Sequence, residues 1–86
     1  MFYVYLLRSQ KDEEFYYIGS TNDLRRRFKE HNNGKALSTK RYQPFDLIYY
    51  ESYKAEKDAR KRESNLKLKS RAFAQLRKRI KESLLT

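Results

Sequence analysis

The chain has no cysteine among its 86 residues. That excludes a disulfide framework, a thiolate metal site and a zinc finger, and it suits a reducing cytoplasm. A long hydrophobic run is also missing. The longest, Phe2 to Leu7, falls far short of the ~20 apolar residues that span a membrane. No charged-then-apolar leader precedes it, so a soluble, unprocessed, cytoplasmic chain is expected. No internal repeat, low-complexity tract or second domain is visible, and residues 1–86 read as one small domain with a modest core. Leu, Ile, Val and Phe together number nineteen, just above the ~20% level where disorder sets in. Eight tyrosines supply further surface to bury.

Acidic residues are scarce, 11 against 21 lysines and arginines, for a net charge of +10. The imbalance is concentrated. Met1 to Tyr53 carries 9 basic and 7 acidic residues, whereas Lys54 to Thr86 carries 12 and 4. Such a basic C-terminal third favours a polyanion, DNA first with RNA also open, over a membrane surface, because no strongly amphipathic membrane helix accompanies it. Solubility alone is the plainer account of the same charges.

Alternation of Phe2, Val4, Leu6 against Tyr3, Tyr5, Leu7 has the period of a strand with two faces. Phe15 to Gly19 repeats it after a polar stretch, which predicts an antiparallel hairpin ending at Gly19. A helix follows, capped by Ser20 or Thr21, with Leu24 and Phe28 inward and Asn33-Gly34 as its stop. Lys35 to Pro44 reads as a basic loop in which Ser38, Thr39, Lys40 and Arg41 either contact phosphates or simply connect. Asp46 to Tyr53 is the third strand, with Leu47, Tyr49, Glu51 and Tyr53 on one face. A second helix is predicted over Lys54 to Leu68, with Ala55, Ala59, Arg62 and Leu66 as its inner stripe. Ser70 caps a third helix carrying Phe73, Leu76, Ile80 and Leu84 inward, while Arg77 and Arg79 stay outside. The predicted class is α+β, a three-stranded antiparallel sheet flanked by three helices in the order ββαβαα.

Arg27 and His31 lie one turn apart on the first helix and point together toward the tyrosine face of the hairpin. Glu63 sits at the margin of an inner stripe, where an unpaired carboxylate costs several kcal/mol. It must meet a cation such as Lys67 or Arg27, a donor, or a metal.

Taken in order, Tyr3-Val4-Tyr5, Tyr17-Ile18-Gly19, Arg27 with His31, and Glu63 resemble the GIY-YIG nucleases, over nearly the whole chain. The likeness is closest to small standalone bacterial members, which are related to the nuclease domain of the excision-repair nuclease C subunit. Tyr3 stands where the name motif has glycine. No counterpart of the C-terminal asparagine of several relatives is present, Asn65 being too near Glu63. The resemblance implies a metal-dependent DNA endonuclease of low sequence specificity, in repair or recombination. Tyr5, Tyr17, Arg27, His31 and Glu63 would be its catalytic residues. Glu63 would hold Mg²⁺ or Mn²⁺, Arg27 would brace the phosphate, and Tyr17 or His31 would serve as general base. An unperturbed phenol titrates near ~10, so a tyrosine base needs a cation beside it. The five side chains should line one shallow concave surface, with Thr39, Lys40, Arg41, Lys67, Arg77 and Arg79 holding nucleic acid. The alternatives are a non-catalytic nucleic-acid-binding domain and an interaction module for an unidentified repair protein.

The charge distribution makes a prediction of its own. Duplex DNA affinity, measured by filter binding, should fall with salt at a log-log slope of roughly −0.9 per phosphate neutralised. Arg77→Ala or Arg79→Ala should make that slope shallower, and salt-insensitive binding would contradict the basic-face account.

Overall fold

Four consecutive residues of the first strand, Val4, Tyr5, Leu6 and Leu7, are all buried. Alternation loses its exposed half only when both faces of a strand are covered, which places this strand at the centre of the sheet. The computed structural model describes residues 1–86. Its elements are β1 (Phe2–Ser9), β2 (Tyr16–Thr21), α1 (Leu24–Asn32), a 3₁₀ turn (Lys40–Tyr42), β3 (Phe45–Tyr53), α2 (Glu56–Leu68), α3 (Ser70–Arg79) and the single-turn α4 (Lys81–Leu84). The strands are antiparallel in the order β2-β1-β3. The fold is therefore α+β in the predicted order ββαβαα, with a short helical turn added at the end. No helix is long and apolar enough to cross a membrane.

Each face of β1 carries its own core. Val4, Leu6 and Ile18 pack against Ala59 and Leu66 of α2, Leu76 of α3 and Ile80. On the other face Tyr5, Leu7 and Phe45 pack with Leu24 and Phe28 of α1 and with Phe15, Tyr17, Tyr42 and Leu47. The two layers are helical on both sides of one thin sheet, as a small sheet with apolar residues on each face requires. Asn32 locks α1 to β3: its Oδ1 accepts from the Phe45 amide at 2.6 Å and its Nδ2 donates to the Phe45 carbonyl at 3.2 Å.

Several boundaries differ from the pattern-based expectation. β2 continues past Gly19 to Thr21, because Tyr3, Val4 and Tyr5 offer it partners through Thr21, Ser20 and Gly19. Neither Ser20 nor Thr21 caps α1. Asp23 does, its carboxylate accepting from the Arg26 amide at 3.1 Å. Gly34 follows the helix at φ +73°, the left-handed turn that Asn33-Gly34 predicts. β3 contains a bulge, since Leu6 pairs with Tyr49 while Leu7 pairs with Leu47, leaving Ile48 extra. One inserted residue exchanges the faces. Leu47 therefore joins the α1 side and Tyr49 and Tyr53 the α2 side, so the predicted single face of Leu47, Tyr49, Glu51 and Tyr53 is divided.

In α2, Ala59 and Leu66 are buried as predicted, whereas Ala55 is the exposed residue before the helix. Arg62 serves the stripe by pairing with Glu51 through Nε and Nη2, both at 3.0 Å. Glu51 also accepts from the hydroxyls of Tyr49 and Tyr53, so this carboxylate is fully satisfied. Ser70 is the first residue of α3 and Lys69 the cap, without a side-chain bond. The helix breaks at Ile80 (φ −107°, ψ 28°), yet Phe73, Leu76, Ile80 and Leu84 all still reach the core.

Gly19 is needed inside β2, because a Cβ there would lie 2.5 Å from the Tyr5 hydroxyl and 2.6 Å from its ring carbon. Gly19→Ala should displace the Tyr5 ring and destabilise the fold by about 1–3 kcal/mol, the cost typical of overpacking. Urea unfolding would show it as a lower midpoint at unchanged slope.

Candidate active site

Tyr5 reaches from the central strand under α1, in the space that Gly19 leaves, and its hydroxyl lies 2.8 Å from Nε2 of His31. The imidazole is fully buried, and its Nδ1 lies 2.8 Å from the hydroxyl of Thr39. Tyr17 packs against the same ring, with centroids 4.8 Å apart, and lies 6.2 Å from the Tyr5 ring. Arg27, one turn before His31, is about one-third exposed and pairs with Glu30 at 3.0 Å. Burial pushes the Tyr5 phenol up to about 12, with Tyr17 adding to the rise and Arg27 opposing it. Burial likewise pushes His31 down to about 4, helped by the Arg27 charge and opposed by Glu30. At neutral pH the pair is a neutral phenol beside a neutral imidazole.

Glu63 arrives from the other layer. Its Oε1 accepts from the Ser20 hydroxyl at 2.5 Å, and its Oε2 meets Lys67 Nζ at 2.8 Å. Burial works against its ionisation, but Lys67 and Ser20 more than offset that and hold the carboxyl below its ordinary value. Ser20 shares the face of Val4 and Ile18, whereas Tyr17 is on the α1 face. Tyr17 and Glu63 thus belong to opposite layers of the sheet. No surface hollow is lined by any of the five residues. The two groups meet instead over an edge, because β2 is an outer strand. The ammonium of Lys67 bonds Glu63 and lies 5.7 Å from the centre of the Tyr17 ring.

No set of three His, Asp or Glu side chains converges anywhere in the protein. Glu63 offers an ionised, partly exposed carboxylate with the Ser20 hydroxyl beside it. That donor set fits a hard divalent ion that takes the rest of its shell from waters and phosphate oxygens, and it does not fit a two-ion centre.

Among the residues predicted to hold nucleic acid, Thr39 is fully buried and cannot touch a phosphate. Its hydroxyl is spent on His31 and on the Ala36 carbonyl. Lys40 and Arg41 are exposed beside it, with Arg41 over the Tyr42 ring at 5.6 Å. Arg77, 4.8 Å above the Phe73 ring, and Arg79 belong to α3 in the opposite layer. Lys67 alone of the six stands between the two groups. The sequence pattern predicts a strand end at Gly19 and a cap at Ser20 or Thr21, whereas β2 runs on to Thr21. The continuation of β2 was the signal missed, because two further residues put Ser20 on the Glu63 side.

Free imidazole titrates near ~6.5, so as pH falls the unfolded chain takes up the His31 proton before the folded one does. The stability conferred by neutral, buried His31 is fully present above the free value and is lost as pH falls toward 4. Unfolding free energy measured in urea should drop by ~2 kcal/mol between pH 6.5 and 5. His31→Gln should flatten that part of the curve.

A family model described as the GIY-YIG catalytic domain matches residues 1–81. Among curated proteins, the chain is 43% identical over 68 residues to a UPF0213 protein of Clostridium perfringens, covering 78% of this chain and 71% of that one. It is 40% identical over 70 residues to a UPF0213 protein of Streptococcus pneumoniae, covering 80% and 69%. With UPF0213 protein YazA of Bacillus subtilis the identity is 40% over 62 residues, 71% of this chain and 63% of the relative. No solved structure matches. The match covers nearly the whole chain, and the chain belongs to the GIY-YIG nuclease family.

Proposed function

We propose that the protein is a metal-dependent nuclease that hydrolyses phosphodiester bonds in DNA with little sequence preference. The observation that carries this reading is the edge of β2, where Arg27 and the phenols of one layer come within reach of the Glu63–Lys67 pair of the other. A phosphate lying across that edge would meet cations from both sides. Arg27 would brace it with a planar fork of donors. Its present partner, Glu30, forms a partly exposed pair of the kind that contributes little, so exchange for a phosphate is inexpensive. His31 is fully buried with both nitrogens engaged, which assigns contact with water to Tyr17, the half-buried phenol of the site. Tyr17 would take the proton of the attacking water as phenolate, and buried Tyr5 would position Tyr17 and Arg27 from beneath. Glu63, steadied by Ser20, is the residue to hold Mg²⁺ or Mn²⁺, which when bound supplies Lewis-acid polarisation of the phosphate. Lys67 would then leave Oε2.

One observation favours a second reading. Glu63 is already neutralised by Lys67, as suits a nucleic-acid-binding module that keeps the fold without the chemistry.

Three purified variants separate the two. Glu63→Gln should lower cleavage by roughly 100-fold or more while DNA binding persists or improves. Arg27→Ala should lose cleavage on the order of 100-fold together with some affinity, since it removes a phosphate contact. Tyr17→Phe should lose cleavage with affinity intact. Turnover, metal dependence and filter binding on single-stranded, duplex and branched substrates are the measurements. Undiminished metal-dependent cleavage by Glu63→Gln would sink the proposed site, and a parent that binds but never cleaves would establish the second reading.

A further inference from the structure

His31 is the only histidine of the chain, and its two ring nitrogens have one polar partner each. Which nitrogen holds the proton follows from counting donors. The Thr39 hydroxyl owns a single proton and can otherwise only accept. Its oxygen lies 3.3 Å from the carbonyl oxygen of Ala36, which can accept but never donate. With the hydroxyl proton directed there, one arrangement of the remaining protons follows. At 2.8 Å from His31 Nδ1, the Thr39 oxygen must then accept, and Nδ1 must be the N–H. A neutral imidazole carries one N–H only, so Nε2 is a bare lone pair. The remaining bond, 2.8 Å from Nε2 to the Tyr5 hydroxyl, has Tyr5 as its donor.

We propose that Thr39 is a positioning residue: by accepting from Nδ1 it fixes the tautomer of His31, commits the Tyr5 proton to Nε2 and leaves the Tyr5 oxygen to serve as an acceptor only. The inference deepens the proposed nuclease site and rests on it for the catalytic consequence. The tautomer itself does not depend on that reading. With the phenol held high and the imidazole held low by burial, the proton stays on Tyr5. Tyr5 is thereby an orienting phenol, which reserves the base role for Tyr17. Thr39 is well built for the task. It is fully buried, its amide also bonds the Ala36 carbonyl at 3.1 Å, and the adjoining 3₁₀ turn holds the backbone behind it.

A lone histidine makes the test direct, since the ¹⁵N spectrum of the labelled protein contains one pair of imidazole nitrogens. In the parent at neutral pH we expect an N–H at Nδ1 and a bare Nε2. Thr39→Val keeps the shape and removes the acceptor, and should shift the ring toward the Nε2–H form or into exchange between the two. Thr39→Ser should restore the parent pattern. The same series, assayed with Mg²⁺ or Mn²⁺ on duplex and branched DNA, should show turnover lower by about tenfold in Thr39→Val, with KM unchanged and Thr39→Ser recovering. A proton on Nε2 in the parent overturns the proposal without needing any variant to fold, and so does an unaltered tautomer in a folded Thr39→Val. If the parent does not cleave, the nuclease reading fails while the spectra still decide the role of Thr39.

Discussion

A phenol and an imidazole meet under α1 with no water-exposed surface to fall back on, and the α1 face of the sheet is arranged around that one bond. Leaving either partner unsatisfied in such a place costs about 1–3 kcal/mol, and buried polar chains of this kind hold together or fail together. Three otherwise unconnected features serve it. Gly19 omits the Cβ that would strike the Tyr5 hydroxyl. Asn32 fixes the start of β3 against the end of α1, which brings Phe45 beside the His31 ring. Thr39 closes the far end of the chain of bonds. The central strand can carry a tyrosine inward only because all three are present.

The outer position of β2 solves a second problem. An edge strand exposes unpaired backbone groups and invites pairing with another chain, and charged side chains placed against it discourage this. Here the guard is Glu63 with Lys67, anchored on the edge through Ser20. The same placement brings charges from the α2 layer round to the phenols of the α1 layer, which a central strand would have screened. Protection of the edge and assembly of the candidate site are thus one arrangement of the same residues.

How much of this the sequence disclosed follows the range of the interactions. Strand periodicity, the helix carrying Arg27 and His31 one turn apart, and the Asn33-Gly34 stop are local patterns, and the fold they imply is the one present. The bulge at Ile48 left no local mark, since Leu47 to Tyr53 alternates acceptably in either register and only pairing with Leu6 and Leu7 decides between them. Thr39 was read as a phosphate ligand because its neighbours Lys40 and Arg41 are basic. Its burial depends on contact with a helix eight residues earlier, which no spacing rule announces. Glu63 is expected to meet a cation such as Lys67 or Arg27, a donor or a metal, and of these the structure shows Lys67 and the Ser20 hydroxyl. The face it occupies follows from how far β2 extends, a matter of pairing with β1 rather than of propensity.

Charge then distinguishes the two layers. The protein carries a net +10, yet its only histidine is kept neutral, by burial and by the nearby Arg27 charge. An imidazolium there would add a buried positive charge beside Arg27, and the cost of desolvating it would fall on the fold. Arg27 is instead left partly exposed on a weak partner, free to turn its guanidinium to an anion. The α1 layer is consequently uncharged at its centre, with the partly exposed Arg27 at its rim. In the α2 layer a carboxylate and a lysine balance each other on the surface. An anion bound at the β2 edge, as the proposed function requires, would meet the partly exposed Arg27 and Lys67 and not the buried Tyr5–His31–Thr39 hydrogen bonds.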